Sequence, residues 1–183
     1  MKQLDSRHIP RVAPEDLAQV QRHPVCLVVE NVRSAFNVGS MLRSADALRL
    51  DHVYLTGFSP PGDHRGVNKA ALGAQDAVPW SHTRDTIDVL GSLKQRGYTL
   101  AAVEITDSPT DARRLPRADF PLALVVGNEV SGVDPKSLEL CDLALELPQF
   151  GMKHSLNVAV AMGVVGYDVV RRWLELEPQS TAR

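Results

Sequence analysis

The sequence predicts an α/β domain: a mostly parallel sheet flanked by helices. Three observations predict it. Residues 25–30 (VCLVVE) and 121–126 (PLALVV) are almost continuously apolar, as strands buried on both faces are. Strand-like runs alternate with segments of helical spacing along the whole chain, which is the pattern of a parallel sheet with crossover helices. The 183 residues suit one domain, and 44% of them are hydrophobic, enough for a sizeable core.

Taken in order, residues 1–24 are polar and broken by Pro10, Pro14 and Pro24. Pro14 and Glu15 suit the first turn of a short helix. This N-terminal arm reads either as loosely packed chain or as a substrate or partner arm, given Arg7, His8, Arg11, Arg22 and His23. The 25–30 strand runs through a polar turn at 31–34 into a helix that starts near 35–38 and ends near Leu48, with Phe36, Met41, Leu42, Ala45 and Leu48 on one broad face. Strand, turn and helix make the first half of a βαβ unit. A strand follows at 51–56, then 57–64 (GFSPPGDH), which has turn chemistry throughout. A short helix is expected at 69–73, an edge strand or extended piece at 77–80, and a helix at 85–95 with Ile87, Leu90 and Leu93 inward. Residues 99–104 form a strand and 106–111 a loop. After the 121–126 strand come a turn-rich loop at 127–133, one or two helical turns at 135–140, and a strand at 143–147. The last helix is expected over 155–174, with Ser155 at its start and Val158, Ala161, Met162, Val165 and Val169 at three- and four-residue spacing. The organisation expected is an arm at 1–24, a domain at 25–175 and a polar tail at 176–183.

Composition excludes several classes. No apolar run approaches the roughly 20 residues of a membrane span, and no secretory signal is present. Cys26 and Cys141 make no disulfide framework and read as free thiols of a cytoplasmic protein. The net charge of -2 neither supports nor excludes nucleic acid, since a local patch can bind phosphates on a neutral protein. The glycine patterns of nucleotide-binding loops and of the serine-hydrolase elbow are missing, and the six His and two Cys show no metal-ligand spacing, so no metal is expected.

In a parallel sheet, ligands bind beyond the carboxyl ends of the strands. Four such ends open into polar loops: 30–37, 104–108, 127–132 and 148–157. Asn37, Arg43, Glu129, Ser155 and Asn157 lie in or just after them. Asn37 belongs in the turn or at the helix cap, because six residues separate it from Arg43 and the two do not share a helix face. Arg43 reads equally as an exposed helical arginine or as a guanidinium at a phosphate or developing oxyanion. Glu129 reads as a surface carboxylate or a site residue, and Asn157 as a site residue or a cap of its own helix.

Three blocks carry a resemblance: NVRSAFNVGSMLRSADAL at 31–48, LVVGNEVSGV at 124–133, and LPQFGMKHSLNVAVAMGVVGYDVVRR at 147–172. They resemble, in this order, the asparagine–glycine–arginine, glycine-x-glutamate and SLNVS-type motifs of the SpoU, or TrmH-like, branch of the SPOUT RNA methyltransferases. The likeness spans roughly 24–173. It departs from the family at Val130, where a glycine is frequent, and at Ala159, where serine is. The resemblance implies a deep C-terminal trefoil knot, S-adenosylmethionine as cofactor, and a homodimer with a site completed across the interface. It implies that Arg43 accepts or stabilises the charge of a ribose 2'-hydroxyl losing its proton, that Asn37 orients it, that Glu129 holds the loop or the arginine, and that Ser155 and Asn157 shape the pocket. It places the cofactor against Val103, Glu104, Gly127, Asn128, Leu147, Ser155 and Leu156. The added RNA-binding domain of some relatives is not expected, since about 24 residues precede the first strand. Arg33, Arg65, Lys69 and Lys153 would form a basic rim for RNA. The 2'-hydroxyl makes RNA rather than DNA the substrate. Transfer RNA is the first expectation, with ribosomal RNA or a non-catalytic RNA-binding knot protein as alternatives.

Overall fold

The structure, a computed structural model, describes Asp5 and residues 12–177. Arg7, His8 and Arg11 of the expected arm and residues 178–183 of the tail lie outside the described residues. Strands β1 (Val25–Glu30), β2 (Val53–Thr56), β3 (Trp80–Thr83), β4 (Thr99–Ala102), β5 (Pro109–Thr110), β6 (Leu122–Val126) and β7 (Leu143–Leu145) form one sheet in the order β3-β2-β1-β6-β4-β7-β5. All its pairings are parallel. The helices are α1 (Ala35–Ala47), α2 (Arg65–Ala71), α3 (Ala74–Ala77), α4 (Thr86–Gln95), α5 (Pro135–Leu140) and α6 (Val158–Leu176).

The continuous apolar runs are explained by burial on both faces. Val25, Leu27 and Val29 of β1 and Leu122, Leu124 and Val126 of β6 pack in one core, with Met41 and Leu42 of α1 and Met162, Val165 and Val169 of α6. Their alternating neighbours Cys26, Val28, Ala123 and Val125 pack in a second core with Leu90 and Leu93 of α4. The period of two along a strand splits the sequence between the cores. Buried Glu30, at the end of β1, accepts hydrogen bonds from the Asp134 N–H at 2.9 Å and the Ser137 hydroxyl at 2.6 Å, tying α5 to the central strand.

Several expectations are corrected. Phe36 is 63% exposed and Ile87 40% exposed, so neither joins the inward face drawn for its helix. The short helix is α2 at 65–71, started by His64, whose ring accepts from the Gly66 N–H. The 77–80 segment divides between α3 and the start of β3, and the 106–111 loop contains the two-residue strand β5. The last helix begins at Val158, not Ser155, because the Asn157 side chain is its cap. In the arm, residues 14–19 form a 3-10 helix, and Arg22 donates to the carbonyls of Leu50 and Ala77. Arg22 is therefore a bracing residue of the fold rather than part of a free basic arm.

α6 is fastened at both ends. Arg117 stacks 4.0 Å over the Trp173 ring and pairs with Glu177, while Arg172 donates to the Leu115 carbonyl. Nearer its start α6 crosses α1 at small residues: a Cβ on Gly166 would sit 2.9 Å from Leu48, and Gly163 faces Ser44.

Candidate active site

The three sequence blocks meet at one point. α1 starts where Ser34 caps it, its hydroxyl accepting from the Asn37 N–H at 3.3 Å. Glu129, in the loop after β6, reaches this first turn. Its carboxylate accepts from the N–H of Arg33 at 3.1 Å, the N–H of Ser34 at 3.0 Å and the side-chain amide of Asn37 at 3.0 Å. A carboxylate at a helix N-terminus satisfies orphan amides and meets the positive end of the helix dipole. Burial pushes the Glu129 carboxyl up, but the bonds from Ser34, Arg33 and Asn37 outweigh it and hold the group below the usual carboxylate range. The Asn37 carbonyl oxygen in turn accepts from the Asn157 amide at 3.1 Å. Asn157 closes the chain by accepting from the N–H groups of Ala159 and Val160, at 2.9 and 3.3 Å, which start α6. Glu129, Asn37 and Asn157 thus link the starts of α1 and α6 to the loop after β6.

That loop is folded tightly on itself. Asn128 and Gly132 exchange backbone hydrogen bonds, and the Asn128 side chain accepts from Val130 and Ser131 while donating to the Asn31 carbonyl at 2.8 Å. A Cβ on Gly127 would stand 2.1 Å from the Gly132 carbonyl, and Gly132, at φ +73°, would press a Cβ to 2.3 Å from Glu104. Glu104 instead accepts from the Val133 N–H at 3.1 Å and the Ile105 N–H at 3.0 Å.

Beside this linkage, at the carboxyl ends of β4, β6 and β7, lies a cavity of about 370 Å³. Small-molecule sites start at roughly this size, about 300 Å³. All seven residues expected at the cofactor line it: Val103, Glu104, Gly127, Asn128, Leu147, Ser155 and Leu156. Glu129 and Asn157 line it as well. Its charged groups are the carboxylates of Glu104, Glu129 and Glu146, with no lysine or arginine. The lining suits a ligand with an apolar ring system and net positive charge.

Not every expected residue is brought there. Arg43 lies in the middle of α1, exposed, outside the cavity lining and without a hydrogen bond or ion pair among the described residues. Asn37 does not line the cavity; it is the third residue of α1, one turn past the cap, and its side chain is committed to Glu129 and Asn157. Arg33, Arg65, Lys69 and Lys153 are exposed and lie outside the lining. Ile105, Glu146, Gln149 and His154 also line the cavity and were not singled out by sequence. Their position in strand-end loops was the only signal for them.

A model of the SpoU rRNA Methylase family matches residues 24–167. The chain belongs to that family. A Staphylococcus haemolyticus protein assigned to the TrmH family of tRNA/rRNA methyltransferases is 33% identical over 146 residues, covering 80% of this chain. The chain spans 58% of the length of that relative. Among solved structures, the A. aeolicus TrmH/SpoU tRNA modifying enzyme aligns with a TM-score of 0.78 at 26% identity, over 88% of this chain and 83% of that one. An AdoMet-bound rRNA methyltransferase from Sinorhizobium meliloti aligns at 0.76 and 24% identity, over 88% and 61%. The architecture matches the SPOUT, trefoil-knot fold of these proteins. The SpoU family match contains the whole linkage from Ser34 to Asn157 and most of α6.

Proposed function

We propose that the domain at 25–175 is an S-adenosylmethionine-dependent RNA ribose 2'-O-methyltransferase that acts on tRNA as a homodimer in the cytoplasm. One observation carries this reading: the Glu129–Asn37–Asn157 linkage fixes the start of the Arg43 helix beside a cavity whose lining includes every backbone segment expected at the cofactor.

S-adenosylmethionine would supply an already activated methyl group, so the transfer needs alignment rather than a metal. Val103, Gly127, Leu147 and Leu156 would hold it through backbone groups, with Glu104, Asn128 and Ser155 around it. The three carboxylates of the lining favour its sulfonium charge. On the RNA side, a ribose hydroxyl is a weak nucleophile at neutral pH and gains from a group that stabilises the charge left when its proton departs. On this reading Arg43 has that role, its guanidinium acting as a fixed cation. Glu129 and Asn37 position it, since they lock the first turn of α1 and Arg43 lies about 9 Å further along the same rigid helix.

The dimer supplies the missing juxtaposition. α1 exposes Phe36, Ser40, Arg43 and Ala47 at helical spacing, and α6 exposes Val160, Val164, Tyr167 and Leu174. Ser44 faces Gly163 and Leu48 faces Gly166, so α1 and α6 meet along one seam, beside which the two stripes are taken as one surface. Contiguous apolar surface of this kind marks an association site. On this reading, pairing two copies there would bring Arg43 of one towards the cavity of the other. The basic rim of Arg33, Arg65, Lys69 and Lys153 is without ion pairs among the described residues, which leaves it available to phosphates. The tRNA assignment follows the A. aeolicus enzyme's description as tRNA modifying. Cytoplasmic location follows the two free thiols. Among the described residues, no helix is long and apolar enough to cross a membrane.

Mass spectrometry of nucleosides from separated tRNA and rRNA of a deletion strain tests the reading, together with methylation of that RNA by the purified protein. Loss of one 2'-O-methyl nucleoside from tRNA is expected. Loss from rRNA alone reassigns the substrate, and no loss with no activity in vitro rejects the function. R43A is expected to keep S-adenosylmethionine binding in calorimetry and lose turnover.

A further inference from the structure

The turn segment 57–64 takes no part in the site described so far, yet it is anchored on several sides to the end of β1 and to β3. Gly57, at φ +67°, approaches the Asn31 side chain so closely that a Cβ there would lie 1.9 Å from its oxygen. That same oxygen accepts from the Phe58 N–H at 3.3 Å. Ser59, 1% exposed, donates to the Val29 carbonyl at 3.0 Å and accepts from the Val32 N–H at 2.9 Å. The Ser59 carbonyl accepts from His82 Nε2 at 3.0 Å. Further along, Gly62 lies so close to the Trp80 ring that a Cβ would fall within 2.3 Å of it. Between these anchors Phe58 stands 59% exposed.

A single exposed aromatic needs no explanation by itself. Phe58 differs in what surrounds it. The loop that carries it is held by hydrogen bonds and close backbone packing to the end of β1, so the ring has a fixed base. Asn31, which binds the Phe58 N–H, has its own carbonyl bound by Asn128 of the cavity lining. Two residues on stands Arg33, exposed and without an ion pair among the described residues. Gly66, next to Arg65, packs against Ala35 at the start of α1, at 2.8 Å for a notional Cβ, and Lys69 follows Arg65 one helical turn later on α2. An aromatic face on a fixed base, joined through Asn31 to Asn128 of the cavity lining and close in sequence to Arg33, can combine the two components of single-strand recognition: base stacking and phosphate attraction. A base held inside a duplex offers no face to such a ring.

From this arrangement we propose that Phe58 is a stacking platform for an unpaired base of the RNA substrate, so that the chain acts on a loop or single-stranded nucleotide rather than on a duplex. The proposal rests on the reading of the chain as an RNA methyltransferase.

The test uses the full chain and two probes, a fluorescein-labelled single-stranded RNA of 12 nucleotides and the same strand annealed to its complement, in anisotropy titrations at fixed salt. Wild-type protein is expected to prefer the single strand. F58A is expected to bind the single strand roughly 5-fold or more weakly, the loss of one base–aromatic stack, with duplex affinity unchanged. F58W is expected to restore single-strand affinity, because any aromatic face will serve. Equal weakening on both probes by F58A, no weakening on either, or a wild-type protein that ignores the single strand overturns the platform. Calorimetry with S-adenosylmethionine on the same preparations separates the two levels. Absence of cofactor binding by the wild-type protein defeats the underlying reading, whereas intact cofactor binding with F58A indistinguishable from wild type defeats the platform alone.

Discussion

Asn37→Asp is the sharpest probe of the linkage, because it changes one atom and little shape. In the native protein the Asn37 amide nitrogen donates to Glu129 at 3.0 Å while its oxygen accepts from Asn157 at 3.1 Å. Aspartate keeps the second bond. It replaces the first by two carboxylate oxygens facing each other. At 3.0 Å, two unit charges repel by about 1.4 kcal/mol in water and about 5.5 kcal/mol at an effective dielectric of 20. Both side chains are half-buried, so a cost between these limits, about 2–4 kcal/mol at pH 7, is expected for N37D. The cost carries its own pH signature. One carboxyl of the pair takes up a proton more readily folded than unfolded, so its folded pKa is raised. The folded variant then binds more protons than the unfolded chain between about pH 4 and the raised value, and its stability falls as pH rises through that window. Wild-type Glu129 behaves oppositely: its carboxyl is held down, and the stability it contributes is lost as pH falls below the ordinary glutamate range. Denaturant unfolding of both proteins from pH 4 to 8 is the assay. The gap between them is expected to be widest at pH 7–8 and to close towards pH 4. A gap that is absent at pH 7, or independent of pH, would refute the linkage as drawn.

Three further outcomes follow from the same geometry. Gly132→Ala forces a Cβ onto Glu104 in a left-handed residue and is expected to cost about 1–3 kcal/mol and to weaken S-adenosylmethionine binding; calorimetry and melting curves matching wild type would contradict it. Burial, then the charge of Asp51, pushes the Cys26 thiol far above its ordinary range, and burial with Asp142 pushes Cys141 up to about 12. Native protein at pH 8 is therefore expected to resist iodoacetamide at both sites and to take two adducts only when denatured, which intact-mass spectrometry reads directly. Tyr167→Asp puts a charge in the exposed stripe of α6 and is expected to yield monomers in sedimentation and to abolish methyl transfer while each chain stays folded; a dimeric, active Y167D would move the interface elsewhere.

How much of this was legible before the structure depends on the kind of information involved. Strands buried on both faces are legible because every residue from Val25 to Glu30 answers to the same demand. Helix starts were harder. Ser155 and Asn157 are both suitable caps, and only the position of Val158 in the packed helix decides for Asn157. Phe36 and Ile87 were misplaced because apolar spacing marks a face without saying what covers it. The cavity was legible as a set of strand ends, since parallel topology gathers those ends on one side of the sheet. The linkage of Glu129 to Asn37 was not, because it joins residues 92 apart whose types alone suggest a surface acid and a cap. Arg43 shows where a single chain stops being informative. Its helix is fixed by three bonds to Glu129, yet its side chain is exposed and outside the lining of the cavity its proposed chemistry needs. A rigid helix cannot turn to correct that without breaking the Glu129 contacts. On the proposed function, a dimer that brings Arg43 of one copy to the cavity of the other gives the apolar stripe and the exposed arginine one explanation in common.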